Sequence, residues 1–140
     1  MIETEGRLSS FQPIADDDGI DVLIYDKVTG KSAPLQIKAR TDTVKKRGSG
    51  ERGNIVHFEL RKASANLDRN SYLLCVLLDR NLRNTERAWL IPFKDVSSVD
   101  SERTEKYVIC ANKQTNTNDK YKSYHCISMK EVGERIIEQL

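Results

Sequence analysis

Ala33-Pro-Leu-Gln-Ile-Lys-Ala-Arg40 reads as a β-strand, and with the preceding Asp18-Gly-Ile-Asp-Val-Leu-Ile-Tyr25 it decides the fold. Ile20 to Tyr25 has the β-branched content of a central strand, and the run from Ala33 follows it after a short turn, as a hairpin partner does. Side chains alternate along a strand, so Gln36 and Lys38 share a face. With Thr29-Gly30 at the centre of an even-length hairpin turn, Val28 opposes Lys31, Leu23 opposes Gln36 and Asp21 opposes Lys38. Asp21, Gln36 and Lys38 are then expected on one face. A carboxylate and an amide oxygen suit a hard cation, and a lysine beside them can offset negative charge that develops in a transition state.

These residues, Asp18-Gly-Ile-Asp-Val-Leu-Ile-Tyr25 followed by Leu35-Gln-Ile-Lys38, resemble the PD-(D/E)xK nuclease superfamily, in the branch where Gln replaces the acidic residue of the second strand. The similarity covers about Ile14 to Arg40, and Ala88-Trp-Leu-Ile-Pro-Phe93 is compatible with it. The resemblance implies a restriction-endonuclease-like domain, α/β or α+β, with a central mixed sheet flanked by helices. It implies Asp21 as first metal ligand, Gln36 in the acidic position, the Ile37 backbone carbonyl as a further ligand and Lys38 as the catalytic lysine. Mg²⁺ or Mn²⁺ is the implied cofactor, and nucleic acid, DNA first, the implied partner. Members commonly add a glutamate from a helix before the first strand. Here only Glu3 and Glu5 precede it, so Glu5 takes that role with Glu3 behind it. A nuclease-fold module without activity, binding nucleic acid or a protein, is the alternative.

The chain has 140 residues and a net charge of +2, which fits one domain over residues 1–140. Its charge is uneven: Lys38 to Lys62 holds eight Lys or Arg against three acids, a local excess of +5. That segment includes the Gly- and Ser-containing stretch from Thr41 to Gly53, read as a basic loop in which Lys45, Lys46, Arg47 and Arg52 grip phosphates. A solvated loop is the plainer reading of the same charge. No run is apolar enough to span a bilayer, no signal peptide opens the chain, and three cysteines is an odd number, so reduced buried thiols and a cytoplasmic protein are expected. A homodimer is left open.

Elsewhere, Glu3 to Leu8 is read as a helical turn and Phe11 to Ile14 as a short strand. Asn54 to Arg61 alternates, with Val56, Phe58 and Leu60 on one face and Ile55, His57, Glu59 and Arg61 on the other. Lys62 to Asn70 suits a short helix. Ser71 to Asp79 is a continuous apolar run, as for a strand covered on both faces. Arg80 to Arg87 is a polar turn, Ala88 to Phe93 a strand and Lys94 to Val99 the start of a helix. Lys106 to Ala111 and Lys122 to Ile127 read as strands. Ser128-Met-Lys-Glu131 has capping-box spacing, and Met129, Val132, Ile136, Ile137 and Leu140 make one helical stripe. His57 is placed as a surface strand histidine ahead of a general base, Trp89 as core, and Cys110, His125 and Cys126 as packing residues ahead of a zinc site. Neither a G-x-S-x-G elbow nor a phosphate-binding glycine loop occurs.

Overall fold

The computed structural model describes residues 5–12, 20–44, 53–62, 70–99 and 105–140. Among these residues eight strands and two α-helices run in the order β1 (Leu8–Phe11), β2 (Val22–Asp26), β3 (Ser32–Arg40), β4 (Ile55–Arg61), β5 (Tyr72–Leu78), β6 (Thr85–Pro92), α1 (Phe93–Val99), β7 (Lys106–Asn112), β8 (His125–Cys126) and α2 (Met129–Gln139). Six strands form one sheet in the order β1-β2-β3-β5-β6-β8, and β4 pairs with β7 in a separate ribbon. Among the described strands of this sheet β3 and β5 run parallel, and the other neighbours are antiparallel. This is the mixed α+β sheet that the sequence predicts.

Each face of the sheet has its own core. On one side Leu73, Cys75 and Leu77 of β5 and Trp89 and Ile91 of β6 meet Val56, Phe58 and Leu60 of β4, Ile109 and Ala111 of β7, and Phe93 and Val96 of α1. On the other, Ile24, Leu35, Leu74, Val76 and Leu90 pack with Val132 and Ile136 of α2. The fully apolar β5 run follows from this double coverage: every residue from Tyr72 to Leu77 is buried. The parallel step from β3 to β5 cannot be made by a tight hairpin, and the chain makes it through β4.

α2 starts as its sequence requires. Ser128 Oγ accepts the Glu131 N–H (3.3 Å), and Glu131 Oε2 accepts the Ile127 N–H (2.9 Å). Its buried stripe is Val132 and Ile136, with Met129, Ile137 and Leu140 packed at the margin.

Four local expectations are corrected. Residues Glu5 and Gly6 have φ of +55° and +79°, which ends any right-handed helical turn there. The chain instead enters β1 at Leu8, fully buried opposite Asp26, so the first strand starts three residues before Phe11; residues 13 and 14 of the expected strand lie outside the described residues. The stretch from Lys122 to Ile127 is a 3₁₀ turn at Lys122–Tyr124 followed by the two-residue β8, because only Cys126 and His125 find partners, on Ala88 and Trp89. The β2–β3 turn is centred one residue before Thr29-Gly30: Asp26 N–H donates to Lys31 O (2.9 Å) and Gly30 N–H to Asp26 O (2.8 Å), leaving Lys27–Gly30 as the loop, centred on Val28-Thr29, with Gly30 at φ +75°. Of the expected helix at Lys62 to Asn70, residues 63–69 lie outside the described residues.

Candidate active site at the carboxyl end of β3

With the turn centred one residue earlier, the register moves by two. Val22 faces Leu35, Leu23 faces Pro34 and Tyr25 faces Ser32, so Leu23 does not oppose Gln36, nor does Asp21 oppose Lys38. Pro34 sits inside this ladder. It opposes Leu23 in a pair that exchanges no backbone hydrogen bonds with β2, and β3 meets β5 only from Leu35 onward, so its missing N–H leaves no gap.

Asp21 lies just before the regular ladder. Its N–H donates to Leu35 O (2.9 Å), although Leu35 is already the partner of Val22. Two consecutive residues against one is a β-bulge, a device that redirects a side chain where a ladder ends. The result is specific. Asp21 Oδ2 accepts the Ile37 N–H at 2.7 Å, so the carboxylate is fixed on the backbone of the residue between Gln36 and Lys38. The Leu35 carbonyl and the Ile37 N–H both face β2, and in an extended strand the Ile37 carbonyl faces that side too.

Gln36 and Lys38 stand on the sheet face covered by the β4–β7 ribbon. They pair across β3–β5 with Leu73 and Cys75, both in that core. Gln36 is buried, at 8% exposure, and Lys38 is half-buried. Burial pushes the Cys75 thiol well above its ordinary value, and the charge of Lys38 pulls against that rise, which marks the ammonium as a near neighbour. Among the described residues Lys38 forms no ion pair, with Asp21 or any other carboxylate.

Other expected residues fall elsewhere. Glu5 is exposed in the turn before β1. Because Leu8 faces Asp26, that turn lies at the end of β2 opposite to Asp21, about 17 Å away along five strand residues. Lys45, Lys46, Arg47 and Arg52, like Glu3 and Asp16 to Asp18, lie outside the described residues. His57 is on the outer face of the ribbon, its Nε2 3.1 Å from Glu59 Oε1 and its Nδ1 3.6 Å from Cys110 Sγ. Cys126 is buried on the α2 face and Cys110 on the ribbon, so these thiols do not converge, and all three cysteines are free. Trp89 is core: it stacks on His125 (4.9 Å between ring centres) and meets Phe58 edge-on.

Asp26 is a second strand carboxylate that the sequence reading passed over. It is fully buried and saturated, accepting from Arg7 Nε (2.9 Å) and Nη2 (2.8 Å), Thr29 Oγ1 (2.8 Å) and Val28 N–H (3.0 Å). The Arg7 guanidinium holds it well below the usual carboxylate range. A carboxylate so fully engaged closes the turn and has nothing left for a ligand. The signal for it was an Asp at a strand end followed two to four residues later by the Val, Thr and Gly of a tight turn.

As a donor set, Asp21 offers Oδ1, Gln36 an amide oxygen and Ile37 a carbonyl, with one positive charge at Lys38. Among the described residues no group of three or more His, Cys, Asp or Glu is arranged to hold a metal. A single carboxylate with neutral oxygens fits a cation that keeps most of its water or takes ligands from a phosphate, as Mg²⁺ does, and does not fit a tightly caged ion. No described helix is long and apolar enough to cross a membrane.

No protein-family model matches the chain, and no curated protein matches its sequence. Among solved structures it is similar to a bacterial homing endonuclease, I-Ssp6803I, with a TM-score of 0.57 and 14% identity, over 99% of this chain and 83% of that one. At that identity the similarity is one of fold: the chain has the fold of a solved endonuclease.

Proposed function

We propose that this protein is a metal-dependent nuclease of the PD-(D/E)xK type, in the branch carrying Gln-x-Lys, that hydrolyses phosphodiester bonds of DNA. The observation that carries the reading is the Asp21 carboxylate seated on the Ile37 N–H, between Gln36 and Lys38, at the carboxyl end of β3. The fold shared with an endonuclease supports it. Asp21, the Gln36 amide oxygen and the Ile37 carbonyl would hold Mg²⁺ or Mn²⁺. The ion, when bound, polarises the scissile phosphate and lowers the pKa of an attacking water. The Ile37 N–H fixes the Asp21 carboxylate so that it does not need to reorganise during the reaction. Lys38, unpaired among the described residues, orients the water and offsets charge on the phosphorane. Lys45, Lys46, Arg47 and Arg52 would bind flanking phosphates without reading sequence. Glu5, at the far end of β2, is not part of this proposal.

The presence of one carboxylate in the described donor set favours a second reading, a catalytically silent nuclease fold that binds nucleic acid. An assay with Mg²⁺ or Mn²⁺ on single-stranded, duplex and branched DNA, beside Lys38→Ala, decides between them. Metal-dependent cleavage by the wild type, lost in Lys38→Ala, is the expected result. Salt-sensitive binding with no cleavage under either metal establishes the silent module.

A further inference from the structure

The β5–β6 turn presents a large apolar side chain, Leu82, that stands mostly exposed at its tip. Asp79 N–H donates to Asn84 O (3.0 Å), and the Asp79 carboxylate accepts the Arg83 N–H (2.9 Å) and Asn84 Nδ2 (3.3 Å). Leu82 N–H donates to Asp79 O (3.1 Å), and inside this frame Leu82 is held at φ +59°. That is the left-handed region, which Gly or Asn occupies readily and a branched aliphatic residue avoids. Leu82 is also 66% exposed. A turn selected only for closure would carry Gly or Asn there; this one carries strain and an exposed apolar tip together.

Its surroundings point to the partner. Arg80 and Arg83 flank the tip and are exposed, while the one acid of the turn, Asp79, is spent on its own backbone. A hollow of about 440 Å³ lined by Ala39, Arg40, Thr41, Asp42, Leu78 and Leu82 joins the tip to the end of β3. Arg40 follows Gln36 and Lys38 on the same strand face, and it pairs with Leu77, just before the turn. From Cys75, beside Lys38, to Asp79 is about 13 Å of strand, or roughly four base steps along one DNA strand. A single apolar wedge between two guanidiniums is too small for a protein interface core but suits insertion between stacked bases.

We infer that the Asp79–Asn84 turn is a DNA-inserting finger, with Leu82 wedged between base steps of a duplex and Arg80 and Arg83 on the adjoining phosphates. The inference rests on the nuclease reading and names duplex DNA as its substrate. Its test is a duplex carrying 2-aminopurine at several adenines, bound in EDTA so that no metal-dependent cleavage intervenes. Wild-type protein raises the 2-aminopurine fluorescence severalfold as bases unstack. Leu82→Gly and Leu82→Asn, which relieve the backbone strain, bind the duplex but lose that rise, and Leu82→Gly melts at or above the wild-type temperature. Arg80→Ala with Arg83→Ala lowers the slope of log K against log salt by about two. An equal fluorescence rise in Leu82→Gly, no rise with bound wild type, or a lower melting temperature for Leu82→Gly overturns the finger. Cleavage with Mg²⁺, measured in parallel, judges the nuclease reading separately: cleavage without unstacking removes the finger alone, and failure to bind any duplex removes both.

Discussion

Replacing Gln36 with glutamate asks the candidate site whether it is built for a cation. The Asp21 carboxylate lies 2.7 Å from the Ile37 nitrogen, which is bonded to Gln36 itself. A carboxylate on the side chain at position 36 therefore comes within about 6 Å of Asp21. At an effective dielectric of about 20 two like charges at that distance repel by about 3 kcal/mol. Asp21 is half-exposed, so screening leaves about 1–2 kcal/mol. At a few degrees per kcal/mol for a chain of this size, Gln36→Glu should melt about 4–8 °C below wild type without metal. A divalent cation reverses the sign, because the new charge attracts it. At a hundredfold excess over its Kd, Mg²⁺ contributes about 2.7 kcal/mol, and every further 1.4 kcal/mol of attraction is tenfold in affinity. The assay is thermal melting across a Mg²⁺ titration for wild type, Gln36→Glu and Asp21→Ala. The expected order of the Mg²⁺-induced rise is Gln36→Glu above wild type, with Asp21→Ala showing none. A variant Gln36→Glu that loses stability without metal and recovers none of it at saturating Mg²⁺ would refute the cation site. It would show a buried amide kept only for packing.

Lys38→Ala should leave that Mg²⁺-induced rise intact while lowering kcat by about a hundredfold or more, since it acts on transition-state charge; equal losses in both would make Lys38 a structural lysine. Replacing Lys45, Lys46 and Arg47 together with Ala should weaken DNA binding on all sequences and reduce the salt slope by about two to three; an unchanged slope leaves them as solvating residues. Burial lowers the His125 pKa from 6.5, so the unfolded chain takes up its proton first, and stability present above pH 6.5 is lost as pH falls below it. His125→Gln should flatten that loss above the carboxylate range, and urea midpoints across pH measure it. Glu59, held at about 2 by hydrogen bonds from Lys106 and then His57, adds a separate loss only at more acid pH. Arg7→Ala strands the buried Asp26 carboxylate and should lower the urea midpoint well beyond Lys106→Ala, which breaks an exposed pair.

What could be read from sequence was governed by short-range periodicity. The alternation of Val56, Phe58 and Leu60, the unbroken apolar β5 and the capped stripe of α2 all reach the core as their patterns require. Each is set by burial over a few residues, and burial has a period. Pairing between strands carries no such signal. Nothing in the sequence of β4 shows that it leaves the main sheet for β7, and the two residues of β8 are a strand only because Ala88 and Trp89 are beside them. Glu5 was assigned by analogy to a helix, and two left-handed residues followed by the Arg7–Asp26 pair turn that segment into an edge strand's entry.

In the candidate site a wrong register still leaves Asp21 beside the Gln36–Lys38 segment. A shift of one residue would have sent Asp21 to the other face. The turn Lys27–Gly30 shifts the register by two, which keeps every side chain on its own face but slides Asp21 away from Lys38 and past the regular ladder. Parity alone therefore does not deliver the carboxylate. The bulge against Leu35 does, by adding a residue where β2 begins and turning Asp21 onto the Ile37 amide of β3, which lies beyond the β2 ladder. A vacant backbone donor at the end of a ladder thus places the acid between Gln36 and Lys38. Asp21→Asn, which keeps an oxygen for the Ile37 N–H, should accordingly hold the fold while removing the charge, and Asp21→Ala should lose both. Melting without metal separates the two variants, and the Mg²⁺-induced rise, absent in both, does not. A metal-free melting temperature equal for Asn and Ala would mean that the Ile37 hydrogen bond does not position this residue.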